Sequence, residues 1–90
     1  MALNATPTVT TKTPSGSEAE HALGGTIDLS YWAVQADGAD MELAFASSGA
    51  HMTIKDGVWY SFSGRSWNGQ SIFIDGASGT ARIVEIPFMS

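Results

Sequence analysis

The sequence predicts an all-β fold, a small antiparallel β-sandwich or barrel with an extended N-terminal arm. Three observations predict it. Short runs alternate apolar and polar residues with a period of two, Gly-containing turn sequences separate the runs, and the runs recur about every eight to twelve residues. We therefore divide the chain into an arm, residues 1–25, and a β domain, residues 26–90.

The arm is rich in Thr, Ser, Pro and Gly and carries few large apolar side chains. Such a segment buries too little apolar surface to offset the entropy lost on ordering. We therefore expect another surface to hold it, by strand addition to a sheet edge or by side-chain pockets. Leu3, Pro7 and Val9 are its predicted contact residues. Residues 5–13 favour an extended conformation, whereas residues 17–23 fit either one or two helical turns or the entry to a strand.

The β domain begins with a predicted strand over residues 26–35, in which Ile27, Leu29 and Tyr31 share one face. The alternation breaks at Tyr31–Trp32, which predicts a bulge or a change of buried face there. Asp56–Gly57 predicts a hairpin turn because Asp-Gly accepts positive φ. The remaining predicted strands are 41–47, 51–54, 58–63, 71–75 and 80–88.

The size and composition of the chain indicate an oligomer. The β domain has about 65 residues, and a domain so small is marginally stable alone. The chain has no Cys and two His, which excludes disulfides and thiolate metal sites and disfavours a zinc site. Oligomerisation is the remaining common way to stabilise a small domain.

The charge pattern argues against nucleic acid and membrane partners. The net charge is −5, and the four basic residues, Lys12, Lys55, Arg65 and Arg82, are scattered along the chain. Charged residues make up 14% of the chain, against about 25% in typical proteins. This low charge favours a surface covered by partners, with a Gly-rich β domain whose surface is Ser, Thr and Asn as the alternative. We see no signal peptide or apolar run long enough to span a bilayer, so we expect synthesis in a cytoplasm.

No residue pattern predicts catalysis, a metal or a cofactor. His21 and His51 are the two imidazoles, and no G-x-S-x-G sequence surrounds a Ser. The acidic residues of the 37–42 segment share one turn. That turn lacks the ligand spacing of an EF-hand, which favours a solvated turn over a calcium site.

The aromatic residues are the strongest candidates for contact with a partner. Trp67 lies in a polar loop with Arg65, Asn68 and Gln70. It fits three interpretations: a ring folded back onto the sandwich, an interface anchor, or a platform for a sugar. The pairs Tyr31–Trp32 and Trp59–Tyr60 place large groups on both faces of their strands, so one face is core and the other is covered or forms an exposed apolar patch. The predicted interface or ligand residues are Trp32, Trp59, Arg65 and Trp67.

The order of these segments resembles that of small virion proteins of tailed bacteriophages. The likeness rests on the Thr/Pro/Ser-rich arm, on KDGVWYS at residues 55–61, and on SGTARIVEI at residues 78–86. The resemblance implies a non-enzymatic virion protein, a capsid-decoration (cement) subunit that binds the shell through its arm and oligomerises through its β domain, with a trimer favoured. A tail or fibre position is equally compatible. The alternative is a small carbohydrate- or receptor-binding module that uses the Trp67 loop.

Overall fold

In the computed structural model, the described residues are 7–24 and 29–87, and every regular element among them is a β-strand. This confirms the predicted all-β class. The strands are β1 Thr8–Lys12, β2 Ala19–Ala22, β3 Leu29–Asp37, β4 Met41–Ala44, β5 His51–Ile54, β6 Trp59–Phe62, β7 Ser71–Asp75 and β8 Thr80–Pro87.

The strands form two four-stranded sheets that pack face to face. Sheet A has the order β1-β8-β3-β6 and sheet B the order β2-β7-β4-β5, and every strand pair is antiparallel. Among the described strands, β4 and β5 are the one consecutive pair that hydrogen-bond to each other. The chain therefore crosses between the sheets at nearly every connection, so residues distant in sequence become neighbours.

The described part of the predicted arm belongs to the sandwich. β1 pairs with β8 at the edge of sheet A, and β2 pairs with β7 at the edge of sheet B. The prediction that another surface holds this segment is wrong for its described part, because β1 and β2 complete the chain's own sheets. Of the two alternatives for residues 17–23, the strand is correct. The predicted boundary at residue 25 lies outside the described residues.

A register shift in β3 decides which side chains face the core. Leu29 is opposite Pro87 and Trp32 opposite Glu85, so one strand carries an extra residue between these pairs. Leu29 and Trp32 are consequently both buried, although a regular strand would turn them to opposite faces. This confirms the irregularity predicted at Tyr31–Trp32, and it turns Tyr31 towards the outside of sheet A.

The hairpin predicted at Asp56–Gly57 is wrong. Gly57 has the expected positive φ of 82°, but β5 lies in sheet B and β6 in sheet A. The turn is instead bonded to the end of β3: Gly57 N–H donates to the Ala36 carbonyl at 2.8 Å, and Gly38 N–H donates to Asp56 Oδ1 at 2.8 Å. Asp-Gly permits the tight turn, while these bonds direct the chain across the sandwich.

The core lies between the sheets and is aliphatic with one aromatic end. At that end Trp32 stacks on Phe62, with ring centroids 4.4 Å apart, and Phe45 and Trp67 pack edge-on or tilted against them. Each large side chain buried in this way contributes about 1.5–3 kcal/mol before entropy is counted. The largest fully buried side chains are Trp32, Leu23, Leu29, Met41, Leu43, Ile54, Ile72, Ile74, Ile83 and Val34.

Candidate functional site

The outer surface of sheet A is apolar across all four strands. Strand register places Val9, Val84, Ala33 and Ser61 in one row, on β1, β8, β3 and β6 in turn. Side chains two residues apart along a strand share a face, which adds further large side chains on either side of this row. We call the resulting surface the apolar face; its residues are Val9, Tyr31, Ala33, Trp59, Ser61, Val84 and Ile86.

A shallow groove of about 310 Å³ crosses the apolar face. Ala33 and Ser61 form its floor because their side chains are short, and Tyr31 and Trp59 stand beside them on either side. Trp59 is 49% exposed and Val9 is 60% exposed. Large apolar groups left in water and gathered on one face mark interaction sites more often than scattered ones do.

A polar rim borders the apolar face at the row that Gln35 shares with Arg82 and Trp59, so Trp59 lies directly beside this rim. Arg82 Nη2 lies 2.7 Å from Asp37 Oδ2, and Arg82 Nη1 donates to Gln35 Oε1 at 3.2 Å. The Gln35 amide in turn donates to the Gly57 carbonyl at 3.1 Å. The charges at this rim therefore compensate each other, and an apolar centre with a polar rim is the usual anatomy of a protein interface.

The outer surface of sheet B is more acidic, although Phe73 of β7 also lies on it, between Glu20 of β2 and Ala44 of β4. Glu42 lies between Asp75 on β7 and Thr53 on β5 in one row, and Glu20 of β2 points outwards from the edge strand. We call this surface the acidic face; its residues are Glu20, Glu42, Thr53 and Asp75. An open groove of about 470 Å³ borders it, next to Asp40 and Gly76. Across residues 7–24 and 29–87, no group of three or more His, Asp or Glu side chains is arranged to hold a metal ion.

The acidic turn at residues 37–42 is held together by its own side chains. Asp40 Oδ1 accepts a hydrogen bond from the Asp56 backbone N–H at 2.8 Å, and Asp40 Oδ2 lies 3.5 Å from Lys55 Nζ. The backbone bond from Asp56, aided by the Lys55 charge, lowers the pKa of Asp40 below its ordinary value of 3.8. The Asp40 carboxylate thus bonds the turn to the Lys55–Asp56 segment while its side chain stays 52% exposed, in agreement with the predicted solvated turn.

The two histidines each pair with a glutamate. His21 of β2 contacts the Glu85 carboxylate of β8, which also accepts the Gly24 backbone N–H at 3.0 Å. His51 Nε2 lies 3.0 Å from Glu18 Oε2, and the Ser47 hydroxyl lies 3.5 Å from the other oxygen of Glu18. Because the carboxylate stands between Ser47 and His51, this imidazole is not placed to take a proton from that hydroxyl.

The predicted contact residues divide into two groups. Trp32 and Trp67 are in the core, with 0% and 8% exposure, so the prediction of them as surface contacts is wrong. Trp67 has folded back onto the sandwich, which was one of its three interpretations, and the Arg65 guanidinium lies 4.6 Å from the centre of its ring. Val9 and Trp59 lie on the apolar face. Pro7 is exposed just before β1, and Leu3 lies outside the described residues.

Sequence reasoning missed Tyr31, Ala33, Val84 and Ile86 as members of a site. The signal was present in residues 80–88, where Ile83 alternates with Val84 and Ile86. An aliphatic residue on both faces of a strand indicates that both faces are covered. The missing information was which strands lie beside β8, and only the register of the sheet supplies it.

Comparison with protein-family models, curated proteins and solved structures finds no match. Among the described residues there is no helix with the length and apolar character needed to cross a membrane.

Proposed function

We propose that the protein is a non-enzymatic structural subunit that joins a larger protein assembly through its apolar face. One observation carries the proposal: the two outer faces of the sandwich differ, one being apolar with a half-exposed Trp59 and the other acidic. In a monomer, both outer faces are exposed to water, so an apolar outer face has no stabilising role there. The apolar face is the side suited to burial, and the acidic face is the side suited to water.

The energetics of Trp59 support burial of this face. A tryptophan buries about 150–250 Å² when fully covered, so a half-exposed one leaves on the order of 100 Å² in water. Covering that area contributes about 2–3 kcal/mol. Tryptophan and tyrosine are also enriched among the residues that dominate binding energy at protein interfaces. Trp59 and Tyr31 are therefore the proposed anchors.

The described titratable groups support a non-enzymatic function. His21 and His51 each contact a glutamate carboxylate, and Asp37 and Asp40 each pair with a basic side chain of the same chain. The groove on the apolar face is lined by no charged side chain. A site of this composition binds by shape and burial, without a group that transfers protons or attacks a substrate.

In its finer form, the proposal is a capsid-decoration or cement subunit of a virion, with a capsid or other virion protein as partner. The resemblance of the arm, the 55–61 segment and the 78–86 segment to phage virion proteins supports it. Val9 of the arm and Trp59 of the β domain share one face, so a single neighbouring subunit of the assembly, a virion protein or another copy of this chain, covers both. The resemblance also supports a homo-oligomer, with a trimer favoured, and a tail or fibre position as the alternative placement. No cofactor, nucleic acid or membrane enters this function.

A carbohydrate-binding module is the second candidate, because Trp59 and Tyr31 expose aromatic rings that sugars stack upon. The Trp67 loop, which the sequence offered as the sugar site, does not expose a ring for stacking, because Trp67 is buried. Beside Trp59, both ends of the Gln35 amide are already bonded, to Arg82 and to Gly57. A sugar also needs polar partners for its hydroxyls, so this arrangement favours a protein ligand. Binding of wild type on a glycan array, lost in Trp59→Ala, would favour the sugar instead.

Fractionation of the native assembly tests the proposal. A tagged copy of the chain, expressed in its natural source, is run on a sucrose gradient beside Trp59→Ser and Val58→Ser. Val58 is the matched control because it is 46% exposed but does not line the groove. We expect wild type and Val58→Ser to sediment with a large particle and Trp59→Ser to stay at the top. Wild type remaining at the top, or Trp59→Ser sedimenting normally, contradicts the proposal.

A further inference from the structure

We infer that the apolar face binds a second copy of this chain, in a two-fold arrangement in which Trp59 of each copy enters the groove of the other. The inference rests on the proposed function, because it takes the apolar face as an interface and names its occupant. It is argued from the shape, the charge and the area of that face.

The shape of the apolar face is complementary to itself. A two-fold contact joins the same patch on both copies, so the patch has to present both a projection and a recess. Trp59 projects into solvent, and the groove beside it is about 310 Å³ with Ala33 and Ser61 as its floor. Ser61 is two residues from Trp59 on β6, about 6.7 Å along the strand. Projection and recess are thus neighbours, as a two-fold axis near Ser61 requires.

The charge distribution favours the apolar face for contact between two copies, because carboxylates of the two copies are not brought together there. Each copy has a net charge of −5, so copies repel each other at most orientations. Glu20, Glu42 and Asp75 point outwards from sheet B, while the groove on sheet A is lined by no carboxylate. The nearest charges at its rim, Asp37 and Arg82, are paired within one copy. A basic partner, in contrast, is attracted to the acidic face.

The area of the apolar face indicates a reversible dimer. Four strands span roughly 19 Å, and three rows of outward side chains span roughly 13–20 Å along them. The projected area is roughly 250–380 Å² per copy, and the row of Gln35 and Arg82 is part of it, so it is below the ~800 Å² per partner of stable complexes. The dimer therefore dissociates on dilution. This agrees with a core that is complete within one copy.

Tryptophan fluorescence across a dilution series tests the inference, because Trp59 is exposed whereas Trp32 and Trp67 are buried. We expect the wild-type emission maximum to move to shorter wavelength as the concentration rises from about 1 µM to about 1 mM. Trp59→Phe retains Trp32 and Trp67 as the background and loses this shift. Sedimentation velocity over the same series is expected to show the mass rising from one 9.4-kDa chain to two.

Two further variants separate the recess from the projection. Ser61→Phe fills the groove at an exposed position and leaves Trp59 in place, and Trp59→Ser removes the projection. We expect each to weaken the dimer at least tenfold, while Val58→Ser leaves it unchanged. Added salt is expected to strengthen the wild-type dimer modestly, because it screens the repulsion between two copies of charge −5. Circular dichroism of each variant reports whether the fold is retained.

Three results overturn the inference. The first is a monomer up to about 1 mM with unshifted emission. The second is a mass of three chains, which shows a head-to-tail contact. The third is a dimer that Trp59→Ser and Ser61→Phe leave unchanged, which places the contact on another surface. If the chain is a monomer but Trp59→Ser still abolishes sedimentation with a large particle, the dimer is excluded while the proposed function is supported. Failure of the inference and failure of the proposed function are thus distinguishable.

Discussion

The imidazole of His21 contacts the carboxylate of Glu85, and the contact joins the two sheets of the sandwich. Glu85 is 6% exposed and faces the core side of β8, in line with Ala81 and Ile83. A carboxylate in this position is costly unless it is paired and hydrogen-bonded. His21 and the backbone N–H of Gly24 supply those partners. The edge strand β2 is thus fastened to sheet A by a polar pair within an apolar core.

Removal of this partner is expected to destabilise the protein strongly. His21→Ala leaves the buried Glu85 carboxylate with the Gly24 N–H bond but without its imidazole partner, which is expected to lower the free energy of unfolding by about 3 kcal/mol. His51→Ala is the matched control, because its pair with Glu18 is more exposed and its loss costs under ~1 kcal/mol. Urea denaturation followed by circular dichroism measures both. Equal effects of the two substitutions would show that the His21–Glu85 pair is not the fastener described here.

A double substitution distinguishes a lost attraction from an unpaired charge. In His21→Leu combined with Glu85→Leu, both polar groups are replaced by apolar ones, so no charge is left buried. We expect this variant to recover most of the stability that His21→Ala loses. If the double variant is as unstable as His21→Ala, the polar contact itself provides the stability.

The tryptophans are expected to differ sharply in their effect on stability. Trp67→Ala removes a core side chain and is expected to cost about 3–5 kcal/mol. Trp59→Ser removes a side chain that is half covered within its own chain, so it is expected to cost about 1–2 kcal/mol at low protein concentration, well below Trp67→Ala. Urea denaturation of the dilute variants measures the difference. Comparable losses from both substitutions would contradict the assignment of Trp59 to the surface.

The acidic turn is expected to lose its contribution at low pH. The pKa of Asp40 lies below its ordinary value of 3.8, chiefly because its carboxylate accepts the Asp56 backbone N–H. A carboxyl with a depressed folded pKa stabilises the fold above its ordinary pKa, and that contribution disappears as the pH falls through the folded value. Asp40→Asn is therefore expected to be less stable than wild type at pH 7, with the difference closing below about pH 4. Thermal melts across this pH range provide the measurement, and a difference that widens on acidification would refute the explanation.

The first strand is expected to serve both the fold and the interface. Deletion of residues 2–16 removes β1 and exposes the edge of β8, so we expect lower stability and aggregation through the free edge. Val9→Ser keeps the strand and removes one large side chain from the apolar face, so it is expected to weaken association while the melting temperature stays near that of wild type. Light scattering with thermal denaturation separates the two effects. A deletion variant as stable as wild type would show that β1 is not part of the sandwich.

The sequence predicted most strands because their signals are local. Alternation placed the strands around 41–47, 51–54, 71–75 and 80–88, and the break at Tyr31–Trp32 marked the register shift in β3. The sequence pattern did not predict which strands belong to the same sheet. Asp56–Gly57 permits a tight turn whether the chain returns in the same sheet or crosses to the other, and the choice depends on bonds to Ala36 and Gly38, which are distant in sequence.

The candidate site was predicted only in part, because its surface depends on which strands are neighbours in the sheet. Trp32 and Trp59 each stand next to a tyrosine in a predicted strand, and Trp67 lies in a polar loop, so their neighbours in sequence do not separate core from surface. The register shift turns Trp32 inwards, and the backbone bond from Trp67 N–H to the Leu29 carbonyl draws the loop onto the core. Trp59 remains outside because it pairs with Gln35 at the edge of sheet A. The different burial of the three tryptophans arises from tertiary contacts, so it could not be predicted from the spacing of residues.

Oxidative footprinting of the tryptophans tests most directly whether the apolar face is buried in the working protein. The isolated chain, kept dilute, and the chain in the proposed assembly, recovered from the heavy fractions of the gradient, are oxidised in parallel, and mass spectrometry measures modification at each tryptophan. We expect Trp59 to be modified in the dilute chain and protected in the particle, while Trp32 and Trp67 are protected in both. Equal modification of Trp59 in the two states would contradict the central claim, since the apolar face would then remain in water in the assembly.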